Sequence, residues 1–157
     1  MLKITHFSRV LLAALLSISF VKPVNAEPTG TLTVVVEGIN NQNGQICLGV
    51  YSRAKGFPMN TDDVLKSACV QPQGSTLTHK FSGLKPGTYA VAVVDDQNGD
   101  RKLNKNFLGI PQEGFGISRN PTVSIATGTP SFYDASFILM QNQNTKINIL
   151  MKYSLDS

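Results

Sequence analysis

The sequence predicts an all-β fold, a single β-sandwich of about seven strands with one long polar loop. Three observations lead there. Apolar residues recur at alternate positions in short runs, stretches rich in Gly, Pro or Asn bound most of those runs, and no convincing amphipathic helix of about ten residues or more is present. The lack of such helices argues against a mixed α/β architecture.

The expected elements follow in chain order. Thr31 to Gly38 alternates through Leu32, Val34 and Val36, and Asn40 to Gly44 then turns the chain into Gln45 to Tyr51, which reads as a hairpin. Arg53 to Val70 is irregular, with Pro58 early in it and a helical turn expected near Asp62, because Thr61 and Asp62 are competent N-caps. Leu77, His79 and Phe81 alternate with Thr76, Thr78 and Lys80, and Pro86-Gly87 leads into Thr88 to Asp95. That strand is apolar on both faces, which places it centrally in its sheet. Thr122 to Ile125, Asp134 to Leu139 and Thr145 to Tyr153 supply the remaining strands.

Residues 1–26 read as a secretory signal peptide rather than part of the domain. Lys3, His6 and Arg9 precede an uncharged run from Val10 to Phe20, then Pro23 and a small-residue site at Val24-Asn25-Ala26. The run is too short for a bilayer core that needs about 20 residues, so no transmembrane segment is expected. Residues 27–157 form the single domain, and its expected location is the periplasm or the extracellular space. Of the 14 Lys and Arg, Lys3, Arg9 and Lys22 fall in the leader, leaving 11 against 10 Asp and Glu. A near-neutral chain without basic clusters offers no electrostatic footprint for nucleic acid.

Cys47 and Cys69 are the only cysteines, and export would place them where disulfides persist, so they are expected to pair. Two buried thiols or a metal pair are the alternatives. With Ile46, Leu48 and Val50 facing the core, Cys47 faces outward, and the bridge is expected to pin Arg53 to Val70 onto the outside of a sheet.

Asp95 to Ser118 is the candidate working surface, because loops of this length are uncommon unless functional or disordered. Asp96, Asn98, Asp100 and Asn104 occupy positions 1, 3, 5 and 9 of an EF-hand-like calcium loop, with the Lys102 carbonyl at position 7. Arg101 stands where that loop wants Gly, and Phe107 where it wants a bidentate Glu, so Glu113 or Asp134 would have to supply a carboxylate for weak Ca²⁺ binding. The competing reading has the Asp and Asn side chains capping backbone N–H groups in turns. Phe107, Ile110, Pro111 and Phe115, with Gly109, Gly114 and Gly116, form a candidate ligand or partner loop or else cover the open end of the sandwich. Phe132 and Tyr133 look exposed and are expected to dock a partner or plug a core edge.

No catalytic set emerges. His79 shares strand parity with Leu77 and Phe81, as a half-buried strand residue would, and no nucleophile elbow accompanies it. Asp95 and Asp96 are adjacent at a strand end and so point to opposite faces.

Gly83-Leu84-Lys85-Pro86-Gly87-Thr88-Tyr89-Ala90-Val91-Ala92-Val93 resembles a hairpin of transthyretin-like and carboxypeptidase-regulatory-like β-sandwiches. The longer pattern is more specific. It comprises Asp95-Asp96-Gln97-Asn98-Gly99, Leu103-Asn104, Asn106 to Pro111, Glu113, Gly116, Ser118, Pro130-Ser131-Phe132 and Asp134-Ala135. Together these segments resemble a family of small exported bacterial proteins whose shared domain has no assigned function. The resemblance implies a periplasmic or secreted Ig-like or transthyretin-like β-sandwich and brings no activity with it. The ureide hydrolases of the transthyretin-like group need several catalytic His and Arg residues and a Tyr-Arg-Gly-Ser tail, and this chain ends Lys152-Tyr153-Ser154-Leu155-Asp156-Ser157.

The reading is a non-catalytic binding or accessory module that meets a small molecule or an envelope protein through the 95–118 loop. A small metal-assisted hydrolase using the same loop and a structural, calcium-stabilised domain are the alternatives. N-terminal sequencing of the exported protein is expected to begin at Glu27; an exported product that retains residues 1–26 contradicts the leader assignment.

Overall fold

In the computed structural model the described residues, 27–40 and 42–156, build eight strands in two sheets. The expected leader, residues 1–26, lies outside the described residues. One sheet has the order β4-β1-β8, from Thr76–Leu84, Gly30–Glu37 and Asn144–Leu150. The other runs β3-β2-β5-β6, from Lys66–Val70, Gln45–Tyr51, Gly87–Asp96 and Phe115–Ile117, with β7 (Phe137–Leu139) pairing the start of β5. β1 is antiparallel to β4 and parallel to β8.

Strand alternation fixes the core. Leu32, Val34 and Val36 of β1 meet Ile46, Leu48 and Val50 of β2 and Val91 and Val93 of β5 across the space between the sheets, all buried. β5 is central, with β2 on one side and β6 and β7 sharing the other, which explains its apolarity on both faces.

The expected hairpin between Thr31–Gly38 and Gln45–Tyr51 is not formed, because β1 and β2 lie in different sheets. The connection includes Ile39, which is buried in the core, so the chain crosses the end of the sandwich rather than folding back on itself. The turn at Pro86-Gly87 likewise carries the chain from β4 in one sheet to β5 in the other, and is a corner rather than a hairpin.

Further along, Arg53 to Val70 ends in a regular edge strand, β3. A single 3₁₀ turn does form at Thr61–Asp63, capped by Asn60, whose side chain accepts from the Asp62 N–H. Thr122 to Ile125 is not a strand. Asp134 to Leu139 divides into the end of a one-turn helix, α1 (Phe132–Ala135), and β7; a reciprocal capping box between Ser131 and Asp134 starts that helix.

Cys47 and Cys69 form a disulfide, and they stand directly opposite each other on β2 and β3. The bridge therefore joins adjacent strands of one sheet and does not strap a segment across its face. It ties down β3, which pairs with β2 alone. Opposite, β6 is clamped to the segment just after β8 by two backbone bonds between Phe115 and Lys152, of 2.9 and 2.7 Å. Gly116 permits that approach, since a Cβ there would lie 2.6 Å from the Ile149 side chain.

Replacing both cysteines with Ala is expected to lower unfolding free energy in urea by about 3 kcal/mol, the loop-entropy value for a cross-link of this span. An unchanged denaturation midpoint contradicts the bridge's role. Gly116→Ala is expected to destabilise by roughly 1–3 kcal/mol through overpacking against Ile149.

Candidate functional site

The site grows from the outward face of the five-stranded sheet. Register places Cys69, Cys47, Val94 and Phe115 in one row across it, and Ser67, Gly49, Ala92 and Ile117 in the next. Small and apolar side chains on an outward face need a cover. Part of it comes from a second apolar cluster, in which Phe57, Val64, Phe132 and Ala135 pack on Tyr51, Ala90, Ala92 and Ile117. Phe57 meets both Tyr51 and Phe132 edge to face, at 5.2 and 5.9 Å. Phe132 is thus a buried plug and not an exposed aromatic, whereas its neighbour Tyr133 is 74% exposed.

The long loop supplies the rest. It runs from Gln97 to Gly114, because Phe115–Ile117 belongs to β6. Two buried carboxylates hold it. Asp96 Oδ1 accepts from the Gly99 N–H at 2.8 Å and its Oδ2 from the Arg101 N–H at 2.9 Å. Glu113 Oε1 accepts from the Gln97 N–H at 3.1 Å, and its Oε2 from the Asn104 N–H at 2.9 Å. At the far end Asn106 Oδ1 receives the N–H groups of both Leu108 and Ile110, each at 3.0 Å. These are the capping interactions that short polar side chains offer a turning backbone.

The residues at calcium-loop spacing are partly brought together. The Asn98 amide donates to Asp100 Oδ2 at 3.2 Å and to Asn104 Oδ1 at 3.1 Å, and the Asn104 amide donates to Asp100 Oδ2 at 3.0 Å. Asp100 Oδ1 accepts the Lys102 N–H at 2.8 Å. The Asn104 amide and the Lys102 N–H lead the interactions that hold the Asp100 carboxyl below the usual range. Asp96 and Glu113 face backbone N–H groups instead. Asp134 remains on α1 in its capping box with Ser131, whose hydroxyl, followed by its N–H, holds that carboxyl below the usual range. Among the described residues no cluster of three or more His, Cys, Asp or Glu is arranged to hold a metal ion.

Between the loop and the sheet lies an apolar cleft of about 210 Å³. Leu103, Leu108, Ile110 and Pro111 form one wall, Ala92, Val94, Phe115 and Ile117 the floor, and Val123, Ile125 and Pro130 the opposite wall. For comparison, an apolar cavity of roughly 150 Å³ accepts one benzene ring. Of the candidate ligand-loop residues, Ile110, Pro111 and Phe115 line the cleft, whereas Phe107 turns away and is 95% exposed. Sequence reading missed Ala92, Val94, Leu103 and the 123–130 wall. Their signal was the apolar outward parity of β5, which required a cover as well as a central position.

A family model described as "Uncharacterized protein conserved in bacteria (DUF2141)" matches residues 34–148. The chain belongs to that family. The matched DUF2141 span runs from β1 into β8 and contains both the disulfide and the whole cleft-forming loop. No curated protein and no solved structure matches the chain.

On the core side of β5, Asp95 is fully buried. Its Oδ2 accepts from the Tyr153 hydroxyl at 2.8 Å, and Oδ1 has no hydrogen-bond partner among the described residues. Burial raises this carboxyl above its ordinary 3.8, partly opposed by the Tyr153 hydrogen bond. The folded state therefore holds this proton more tightly than the unfolded chain. The associated stability is present below about pH 4 and is lost as pH rises through the raised value. Urea denaturation across pH 4 to 7 is expected to show that decline in the wild type and a flatter profile in Asp95→Asn. Parallel profiles contradict the assignment.

Proposed function

We propose that this DUF2141 chain is an exported, non-catalytic binding module whose ligand lies in the cleft between the 97–114 loop and the outer sheet face. The observation that carries the reading is the cleft itself: an apolar, partly enclosed space on a surface already anchored by a disulfide and two buried carboxylates. Small-molecule sites are typically concave and mainly apolar, with a few polar groups to fix orientation.

A binding role is supported over catalysis by the use made of the loop's carboxylates. Asp96 and Glu113 give their oxygens to backbone N–H groups, a scaffolding task that holds the wall of the cleft in place. His79 lies on β4, in the other sheet, half-buried and 4.7 Å from the Phe81 ring. Export is supported by the leader pattern of residues 1–26 and agrees with a disulfide between the only two cysteines.

The test is titration of the protein with the neutral dye N-phenyl-1-naphthylamine, whose emission rises in apolar surroundings. Saturable enhancement is expected, with affinity reduced at least about tenfold in Ile110→Asp, which sets a charge in the apolar wall. Circular dichroism of that variant should still report the folded β-domain. Absence of any saturable signal with folded wild-type protein contradicts the reading.

A further inference from the structure

The cleft does not end at β5. A second hollow, of about 350 Å³, continues over β2 and β3, and the two share Pro58, Met59, Ala92, Val94 and Leu103. Together they make one trough across the outer face of the sheet, floored at its far end by Gly49, Ser67 and the Cys47–Cys69 bridge.

The chemistry of the trough changes along its length. Its first part is walled by Ile110, Pro111, Phe115 and Val123. Its second part is bordered by Arg101 and Lys102, and Lys105 borders the first part from the same loop. Only one carboxylate, Asp100, stands against these three cations among the trough's described residues, and its oxygens already accept from Asn98, Asn104 and the Lys102 N–H.

Of the domain's other eight cations, Lys85 pairs with Glu27, Lys152 with Asp156, and Arg53 and Lys55 with Asp63, while Lys66, Lys80, Arg119 and Lys146 are in no ion pair among the described residues. Arg101 and Lys105 are in no ion pair among the described residues. The loop as a whole is not cationic, since Asp96 and Glu113 belong to it too, but those two are buried with their oxygens on backbone N–H groups, so it is the three cations that border the trough beside the apolar cleft. Arg101 is also held at a fixed point of the backbone, in the left-handed region at φ 61°, with its N–H on Asp96.

Resting on the reading of the cleft as a ligand site, we propose that the ligand is a single-chain amphiphile with an anionic head. Its tail occupies the space between Ile110 and Phe115, and its head lies toward Arg101, Lys102 and Lys105. A neutral apolar ligand would leave the cationic border unused, and a small inorganic anion would leave the apolar cleft empty.

The experiment compares decanoate, decanol and decylammonium, three probes with one tail and different heads, each competing below its aggregation concentration with N-phenyl-1-naphthylamine. The expected order is anion, then neutral, then cation. Decanoate should bind roughly five- to tenfold more tightly than decanol at low salt, because exposed charge pairs contribute up to about 1 kcal/mol each. That advantage should shrink as ionic strength rises. In the triple variant Arg101→Gln, Lys102→Gln, Lys105→Gln, the dye should still bind saturably while the three probes become equivalent to within about twofold. All three positions are exposed or border the trough, so the fold should survive the exchange.

Equal affinities of decanoate and decanol for the wild type, with the dye still bound, overturn the anionic head and leave the binding module standing. An anionic preference that persists in the triple variant overturns the assignment of these three residues. Failure of the dye and all three probes removes the cleft reading and this inference together.

Discussion

Two carboxylates with no solvent role organise the outer half of this molecule. Asp96 at the end of β5 and Glu113 just before β6 accept four backbone N–H groups from a loop whose two ends they mark. Hydrogen bonds to charged groups contribute roughly 1.5–3 kcal/mol each, about twice their neutral counterparts, so four of them outweigh the bonds between neutral amides nearer the tip. The loop's largest apolar side chains do little to order it, since Phe107 and Leu108 stay exposed. Held this way, it becomes one wall of a cleft.

The opposing constraint is the sheet beneath. Over β2 and β3 the floor is built mainly of small side chains, Gly49, Ser67, Ala92 and the two cysteines, with Val94 and Tyr51 beside them. The disulfide fixes β3 to β2 at the edge where a third neighbouring strand is missing. Ser118 performs a related service on the opposite side, where β6 ends and β7 begins along β5. Its buried hydroxyl accepts the Val91 N–H at 2.9 Å and donates to the Ala135 carbonyl at 2.6 Å, bridging a gap that neither strand covers. Sheet, helix turn and loop are thereby referenced to one strand.

Much of the fold was legible in the sequence because strand alternation is a local signal. Leu32, Val34 and Val36, or Ile46, Leu48 and Val50, announce their strand and its inner face without reference to the rest of the chain. Which strands pair is not local. Nothing in Asn40 to Gly44 distinguishes a hairpin from a crossover, and the decisive fact, burial of Ile39 between the sheets, depends on the assembled core. β3 was hidden for the same reason, since Lys66–Val70 is short and only half-buried and gains its conformation from pairing with β2. In the site, the loop and Ile110, Pro111 and Phe115 could be named from composition. The division of labour within it could not, because identical carboxylates read as metal ligands or backbone caps until the N–H groups around them are placed.

The cleft depends most on the loop being fixed by Asp96 and Glu113, and amide hydrogen exchange followed by NMR tests this directly. The N–H groups of Gln97, Gly99, Arg101 and Asn104 are expected to exchange at least about a hundredfold more slowly than in an unstructured peptide, since each is hydrogen-bonded to a buried carboxylate. Exchange of these four at unstructured rates, while β2 and β5 stay protected, would show that the loop does not form the wall of a cleft.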